Sequence, residues 1–292
     1  MIIQTCDKEG VKEFIKAEVV KSISAGNSDP FIVTDLSRVV ERYRLWQECF
    51  PNIQPFYAIK AQNNAPVRKL LGSLGGCGFD CASLNEIQDV IACGVKPKDI
   101  IFAQPYKFLS HLKEALILGL ITVCDVVSEV VKVGQTAKGL GVRPRVLVRI
   151  LPVGSTDAHK MSAKFGAPFE TVQDMSKAAK EAGVDIVGIS FHIGSGSNNF
   201  AAFVTTLVVA RRWWDALAKA GFTLTVLDIG GGFPGEGGDL FTQFAEVITQ
   251  SLRDSFGDIR DEIDVIAEPG RFIVTSSQTI VTEVIAKKGN IS

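Results

Sequence analysis

Five residues that can do chemistry stand at the ends of short apolar runs. Lys60 closes PFYAIK, Asp80 lies in GFDCA, Arg149 in RVLVRI, His192 ends IVGISFH, and Glu268 ends DVIAE. Asp125 ends ITVCD in the same way, and a Gly230-Gly231-Gly232 run directly follows TVLDI. A lysine held at the end of an apolar strand is partly desolvated, which favours its neutral form and lowers its pKa. A neutral amine can attack a carbonyl and form an imine. From this position alone, a rim lysine whose tip reaches water fits just as well.

The other positions carry complementary chemistry. Three glycines let backbone N–H groups approach a phosphate with no Cβ in the way, although a tight strand-to-helix turn needs glycine too. The order is neither GxGxxG nor a Walker loop. In His192-Ile193-Gly194-Ser195-Gly196, the histidine could present a flat ring to a planar ligand and Ser195 could donate to phosphate. A core histidine followed by a loop is the alternative. A serine-hydrolase reading fails, because no GxSxG elbow exists. A carboxylate such as Glu268 facing a pyridine nitrogen keeps that nitrogen protonated, and a protonated ring is the electron sink of pyridoxal chemistry. Arg271, three residues on, offers a planar fork for phosphate. A surface turn with a salt bridge is the plainer reading of Glu268-Pro269-Gly270-Arg271.

These residues must be positioned by a regular framework. Apolar runs recur near 55–60, 78–82, 100–104, 121–125, 145–150, 186–192, 225–229 and 264–268. Helical segments such as 84–93, 172–182 and 199–220 separate them, with Gly94, Gly183 and Gly221 at helix ends, as left-handed caps require. Strands apolar on both faces that alternate with helices predict a parallel sheet covered by helices. Eight such strands close a (β/α)₈ TIM barrel of about 250 residues. An open doubly wound sheet remains compatible with the pattern, because strand order is not readable. A polar helix at 7–25, a strand at 31–36 and an amphipathic helix at 37–49 precede the barrel strands. After them FIVT and TIVTEVIAKK read as further strands, for which 31–36 is a candidate partner. The expected division is residues 1–36 flanking the barrel, 37–271 the barrel, and 272–292 the start of a truncated β domain.

Composition narrows the function classes. The chain has 292 residues, 31 Lys+Arg against 32 Asp+Glu, and 46% hydrophobic residues. A net charge of −1 gives no sign of a basic stripe for nucleic acid. The six cysteines form no CxxC pair, and Cys77/Cys81 lacks a second half for zinc, so free thiols and no metal are expected. No signal peptide and no long apolar span are visible, which predicts a cytoplasmic protein that does not enter membranes.

Seven motifs in order, PFYAIK (55–60), GFDCAS (78–83), KFGA (164–167), SFHIGSG (190–196), LDIGGGFPG (227–235), AEPGR (267–271) and VIAKK (284–288), resemble the ornithine decarboxylase family. That family sits within the fold-III, alanine-racemase-like decarboxylases that use pyridoxal 5'-phosphate. The resemblance implies that Lys60 holds the cofactor covalently and that His192 stacks on its ring. It implies that Glu268 faces the pyridine nitrogen and that Ser195, Gly230, Gly231, Gly232 and Arg271 bind phosphate. Asp80 and Arg149 would line the cofactor site. The implied reaction is decarboxylation of a basic amino acid, ornithine to putrescine first, with arginine, lysine or diaminopimelate as other substrates. A homodimer and an antizyme-type regulator are the implied partners. Two segments depart from the family: Ala61-Gln62 stands where Cys-Asn is usual, and AQPYK (103–107) replaces ANPCK. The family's C-terminal β domain, which lends a cysteine and an aspartate to the neighbouring subunit's site, has no expected counterpart in this sequence. A regulatory, antizyme-inhibitor-like paralogue or a barrel-only cofactor carrier are therefore the alternatives.

Overall fold

The computed structural model describes residues 10–154, 164–196, 200–235 and 238–288. Residues 7–9 of the expected first helix and 289–292 of the expected β extension lie outside them. Eight parallel strands close into a barrel in sequence order. They are β2 (Gln54–Ala58), β3 (Gly78–Cys81), β4 (Ile100–Phe102), β5 (Ile121–Cys124), β6 (Arg145–Arg149), β7 (Asp185–Ser190), β8 (Val226–Asp228) and β9 (Asp264–Ala267). Closure comes from β9 pairing with β2, Gln54 opposite Ile266 and Pro55 opposite Ala267. The open doubly wound alternative is thereby excluded.

The two-residue period of each strand divides its side chains between two cores. Phe56, Ile101, Val123, Leu147, Val226 and Ile266 point inward and fill the barrel. Space there is tight: a Cβ on Gly78 would meet the Phe56 ring at 2.5 Å, and one on Gly188 would meet the Val226 carbonyl at 1.8 Å. The alternate residues, among them Tyr57, Phe79 and Phe102, face the helical layer. That layer is α3 (Ala65–Leu74), α4 (Leu84–Ile91), α5 (Leu109–Ile117), α6 (Val127–Leu140), α7 (Val172–Ala182), α8 (Phe200–Lys219) and α9 (Gly238–Phe256). Gly141 and Gly183 end α6 and α7 in the left-handed conformation, where a side chain would be strained.

Two helices flank the ring. α1 (Gly10–Ser24) buries no residue, as its polar sequence predicts. α2 (Leu36–Cys49) is capped by Asp35, whose side chain accepts from the Ser37 N–H. It brings Trp46 into an aromatic cluster with Phe50, Phe233 and Phe272 at centroid distances of 4.9, 4.8 and 5.5 Å. The Trp46 indole donates to the Ile53 carbonyl at 2.9 Å, so no polar atom is stranded.

The segment after the barrel corrects one expectation. FIVT is not a strand: Arg271–Val274 form a short helix, α10. Phe272, Ile273 and Val274 are all buried, and three consecutive buried side chains suit a helical turn tucked against α2 better than a strand that alternates faces. Among the described residues of this segment only Gln278–Val281 form a strand, β10, which pairs antiparallel with β1 (Phe31–Thr34) outside the barrel. This is the partner expected for the N-terminal strand. Residues 282–288 carry no regular structure.

Trp46→Ala should destabilise the fold by about 3–5 kcal/mol, through lost burial and the cavity left behind. A lower urea midpoint with an unchanged m-value would register it.

Candidate active site

The polar residues gather where the barrel strands end. Lys60 sits on a short 3₁₀ turn, Ile59–Ala61, immediately after β2. Parallel register sets Ala58 beside Asp80 on β3, and the Lys60 ammonium donates to Asp80 Oδ2 at 2.8 Å. Asp80 is 1% exposed, whereas the Lys60 side chain keeps 52% of its surface open toward the cleft. The other Asp80 oxygen, Oδ1, is buried without a partner among the described residues.

Glycine draws the later strands together. Gly230 adopts φ +62°, and a Cβ there would meet the Phe191 carbonyl at 1.8 Å. A Cβ on Gly231 would meet His192 Nε2 at 2.7 Å and the Glu268 carbonyl at 2.8 Å, and one on Gly232 would meet the Gly194 carbonyl at 2.9 Å. The loop after β8 is thus wedged between the loops after β7 and β9. The Glu268 N–H donates to the Gly230 carbonyl at 2.6 Å. His192 Nδ1 accepts from the Gly194 N–H at 2.9 Å. Arg271, at the start of α10, donates through Nε to Ser195 Oγ at 3.1 Å.

Lys60, His192, Ser195, Gly232, Glu268 and Arg271 line one cleft of about 360 Å³. Gly230, Gly231 and Asp80 adjoin it through the contacts above. Arg149, at the end of β6, is close enough for its charge to act on Lys60, His192 and Glu268, while its guanidinium lies 5.0 Å from the Phe165 ring centroid. Asp125 belongs elsewhere: its Oδ2 accepts from the Gly166 N–H at 3.0 Å and fastens the 164–167 loop. A larger groove of about 990 Å³ opens at the opposite, N-terminal ends of the strands, beside Gln54 and Asp264. It holds none of the converging groups, so size alone does not mark the site.

Electrostatics revise one expectation and expose one omission. Burial favours the neutral Lys60 amine, as the strand-end position predicts, but Asp80 and Glu268 together outweigh it and hold the Lys60 pKa above its ordinary value. His192 is pushed well below its ordinary range by burial and then by the Lys60 and Arg149 charges, so the imidazole is neutral. The residue that sequence reasoning passed over is Asp228, which ends β8 with no exposure. Its Oδ1 accepts from the Gly230 N–H at 2.8 Å, and its carboxyl is close enough to the Glu268 side chain for each to act on the other. Burial and proximity raise both carboxyls, Asp228 to about 7 and Glu268 well above its usual range. The signal was the one that found Asp80, an acid ending an apolar run, hidden here by the adjoining glycines.

An amine, a flat neutral ring, a buried carboxyl, a loop that a Cβ would block and a Ser–Arg pair are the donor set that a phosphorylated pyridine aldehyde needs. The buried oxygen Asp80 Oδ1, unpartnered among the described residues, agrees with a site that receives a polar group. Pyridoxal 5'-phosphate fits these residues.

Comparison with known proteins bears on the same residues. Residues 36–275 match the profile of the family described as pyridoxal-dependent decarboxylase, pyridoxal binding domain. Ornithine decarboxylase of Rattus norvegicus is 35% identical over 280 residues, covering 95% of this chain. Antizyme inhibitor 2 of Xenopus laevis is 36% identical over 275 residues, covering 93%. The chain spans 59% of the length of each of those relatives. Among solved structures, the Paramecium bursaria Chlorella virus arginine decarboxylase superposes with a TM-score of 0.88 at 29% identity, over 95% of this chain and 73% of that one. With the profile matched across the whole barrel and its mouth, the chain belongs to the pyridoxal-binding domain family of the pyridoxal-dependent decarboxylases.

Proposed function

We propose that the barrel mouth binds pyridoxal 5'-phosphate through Lys60 and serves decarboxylation of a basic amino acid, ornithine foremost. The observation that carries this reading is one cleft uniting the Lys60–Asp80 pair, Glu268, and the Ser195–Arg271 pair beside Gly232. Ornithine itself rests on the curated relatives, since arginine decarboxylase shares the same fold.

Each residue has a definable task. Lys60 would hold the cofactor covalently. Its raised pKa means the ammonium must first give up a proton, and Asp80, 2.8 Å away, is the adjacent acceptor. His192, neutral and fixed by the Gly194 N–H, offers a ring face without adding positive charge. Ser195, Arg271 and the Gly230–Gly232 loop would take the phosphate, the loop through the N–H groups of Gly231 and Gly232, since the Gly230 N–H is held by Asp228. Glu268 would meet the ring nitrogen, and Arg149 would add positive charge at the mouth. When bound, the cofactor supplies a protonated ring that accepts the electron pair released as CO₂ departs.

A second reading has its own support: a relative as similar as the enzymes is an antizyme inhibitor. In that case the barrel is a regulatory or cofactor-carrying module. The enzyme reading takes a homodimer, in the full-length form, and an antizyme-type regulator as partners, in the cytoplasm. The β1–β10 sheet lies outside the ring and supports treating residues 1–36 and 272–292 as flanking a barrel at 37–271. Among the described residues no helix is long and apolar enough to cross a membrane.

Borohydride reduction of the chain mixed with pyridoxal phosphate should fix the cofactor to the peptide containing Lys60, and Lys60→Ala should abolish that adduct. Labelling confined to surface lysines would sink the proposal. Release of CO₂ from ornithine, compared with lysine, arginine and diaminopimelate, separates the enzyme from the regulator. The depressed His192 pKa sets a second expectation. The unfolded chain takes up a proton near pH 6.5 that the fold refuses, so stability is intact above that pH and declines below it. The slope from one proton is about 1.4 kcal/mol per pH unit. Denaturant titrations across pH 5–7 (about the range where histidine charges) should lose this component in His192→Gln.

A further inference from the structure

Asp228 and Glu268 are two carboxyls buried together at the ends of adjacent strands, 0% and 7% exposed. Gly230 ties them: its N–H donates to Asp228 Oδ1 at 2.8 Å, and its carbonyl accepts from the Glu268 N–H at 2.6 Å. The Asp228 main chain is fixed as well, its carbonyl accepting from the Phe191 N–H at 3.1 Å. Asp228 Oδ2 has no donor among the described residues; Asp228 stands opposite Ile266, two residues before Glu268, and the two carboxyls act on each other. Two acceptors in contact away from water repel unless a proton lies between them. The charged groups around the pair are Asp80 on β3, Lys60 after β2 and Arg149 on β6, with neutral His192 beside Gly231. Lys60 is engaged by Asp80, and Arg149 lies against Phe165, so neither cation neutralises the pair outright.

We propose that Asp228 is a positioning residue: it holds one proton jointly with Glu268, so that Glu268 meets the cleft as a neutral acid able to pass that proton to a pyridine nitrogen. The second half of this inference rests on the reading that a pyridoxal ring occupies the cleft. In the transfer the Glu268 O–H bond breaks, its electron pair stays on Glu268, and an N–H bond forms on the ring. The carboxylate left behind faces a pyridinium of opposite charge. The Gly230 N–H holds Asp228 in place throughout; before the transfer the Asp228 carboxyl shares the proton and favours its retention by the pair, and afterwards the pyridinium charge offsets the repulsion between the two carboxylates. The two groups titrate as a pair, and the raised values of both agree with a proton retained at neutral pH.

Infrared titration of the whole chain without cofactor tests the pair directly. A protonated-carboxyl band should persist at pH 7 (the ordinary carboxylate having ionised near about 4). Asp228→Asn keeps the acceptor for Gly230 and adds a donor toward Glu268, so the midpoint of that band should fall by about two pH units. Glu268→Gln, approaching from the other side, should remove the band at neutral pH. A midpoint unchanged in Asp228→Asn, a band surviving in Glu268→Gln, or no band in the unaltered chain would each overturn the proposal, and either variant suffices if the other does not fold. With ¹⁵N-labelled pyridoxal phosphate, the ring-nitrogen shift should report protonation in the unaltered chain and its loss in Glu268→Gln. Were the cofactor reading wrong, the label would not bind, while the infrared result would stand.

Discussion

Closure of the strand ring is the constraint on which the rest depends. β2 and β9 are the first and last barrel strands, and their pairing sets Gln54 beside Ile266 and Pro55 beside Ala267. From that edge the chain runs on to Lys60 on one side and Glu268 on the other. The Ala58 N–H donates to the Pro269 carbonyl at 3.2 Å, so the contact continues above the strands into the cleft. An open sheet would leave these two residues at opposite edges. A ring brings an amine and an acid from distant parts of the sequence to one rim, with the loops after β7 and β8 between them.

Charge at that rim is balanced in a particular way. Three acids, Asp80, Asp228 and Glu268, face Lys60 and Arg149, and the histidine among them is neutral. In a medium poorer in water than bulk, unpaired charge is costly, so the groups sort themselves. Asp80 takes Lys60 as its ion-pair partner. The remaining acids are driven up in pKa rather than left as two bare anions. The result is a cleft whose protonation states differ from those of the same residues in water, a common property of sites that do proton chemistry.

Glycine is the material that makes the crowding feasible. At Gly230, Gly231 and Gly232 the loop after β8 passes so near its neighbours that any side chain would strike a backbone carbonyl or the His192 ring. Gly232 also lines the cleft. The packing of the loop and the shape of the cleft wall therefore draw on a single feature, and a larger residue there would injure both.

The alternation of apolar runs and helices was legible from sequence because a buried parallel strand must be apolar on both faces. The acids, lysine, arginine and histidine stood out because charge at the end of such a run is conspicuous. FIVT misled, since β-branched and aromatic residues suit a strand and a buried helical turn alike, and only packing against α2 decides between them. Asp228 was overlooked because its neighbours invited a reading about glycine. Sequence by itself determined the strands, the helices and the residue types at each strand end, which follow from local periodicity and burial preference. Tertiary structure decided that the ring closes, that Lys60 is held by Asp80 with its pKa raised rather than lowered, and that Asp228 lies against Glu268. Those outcomes depend on distances between residues far apart in the chain, and electrostatic energy is set by such distances rather than by sequence spacing.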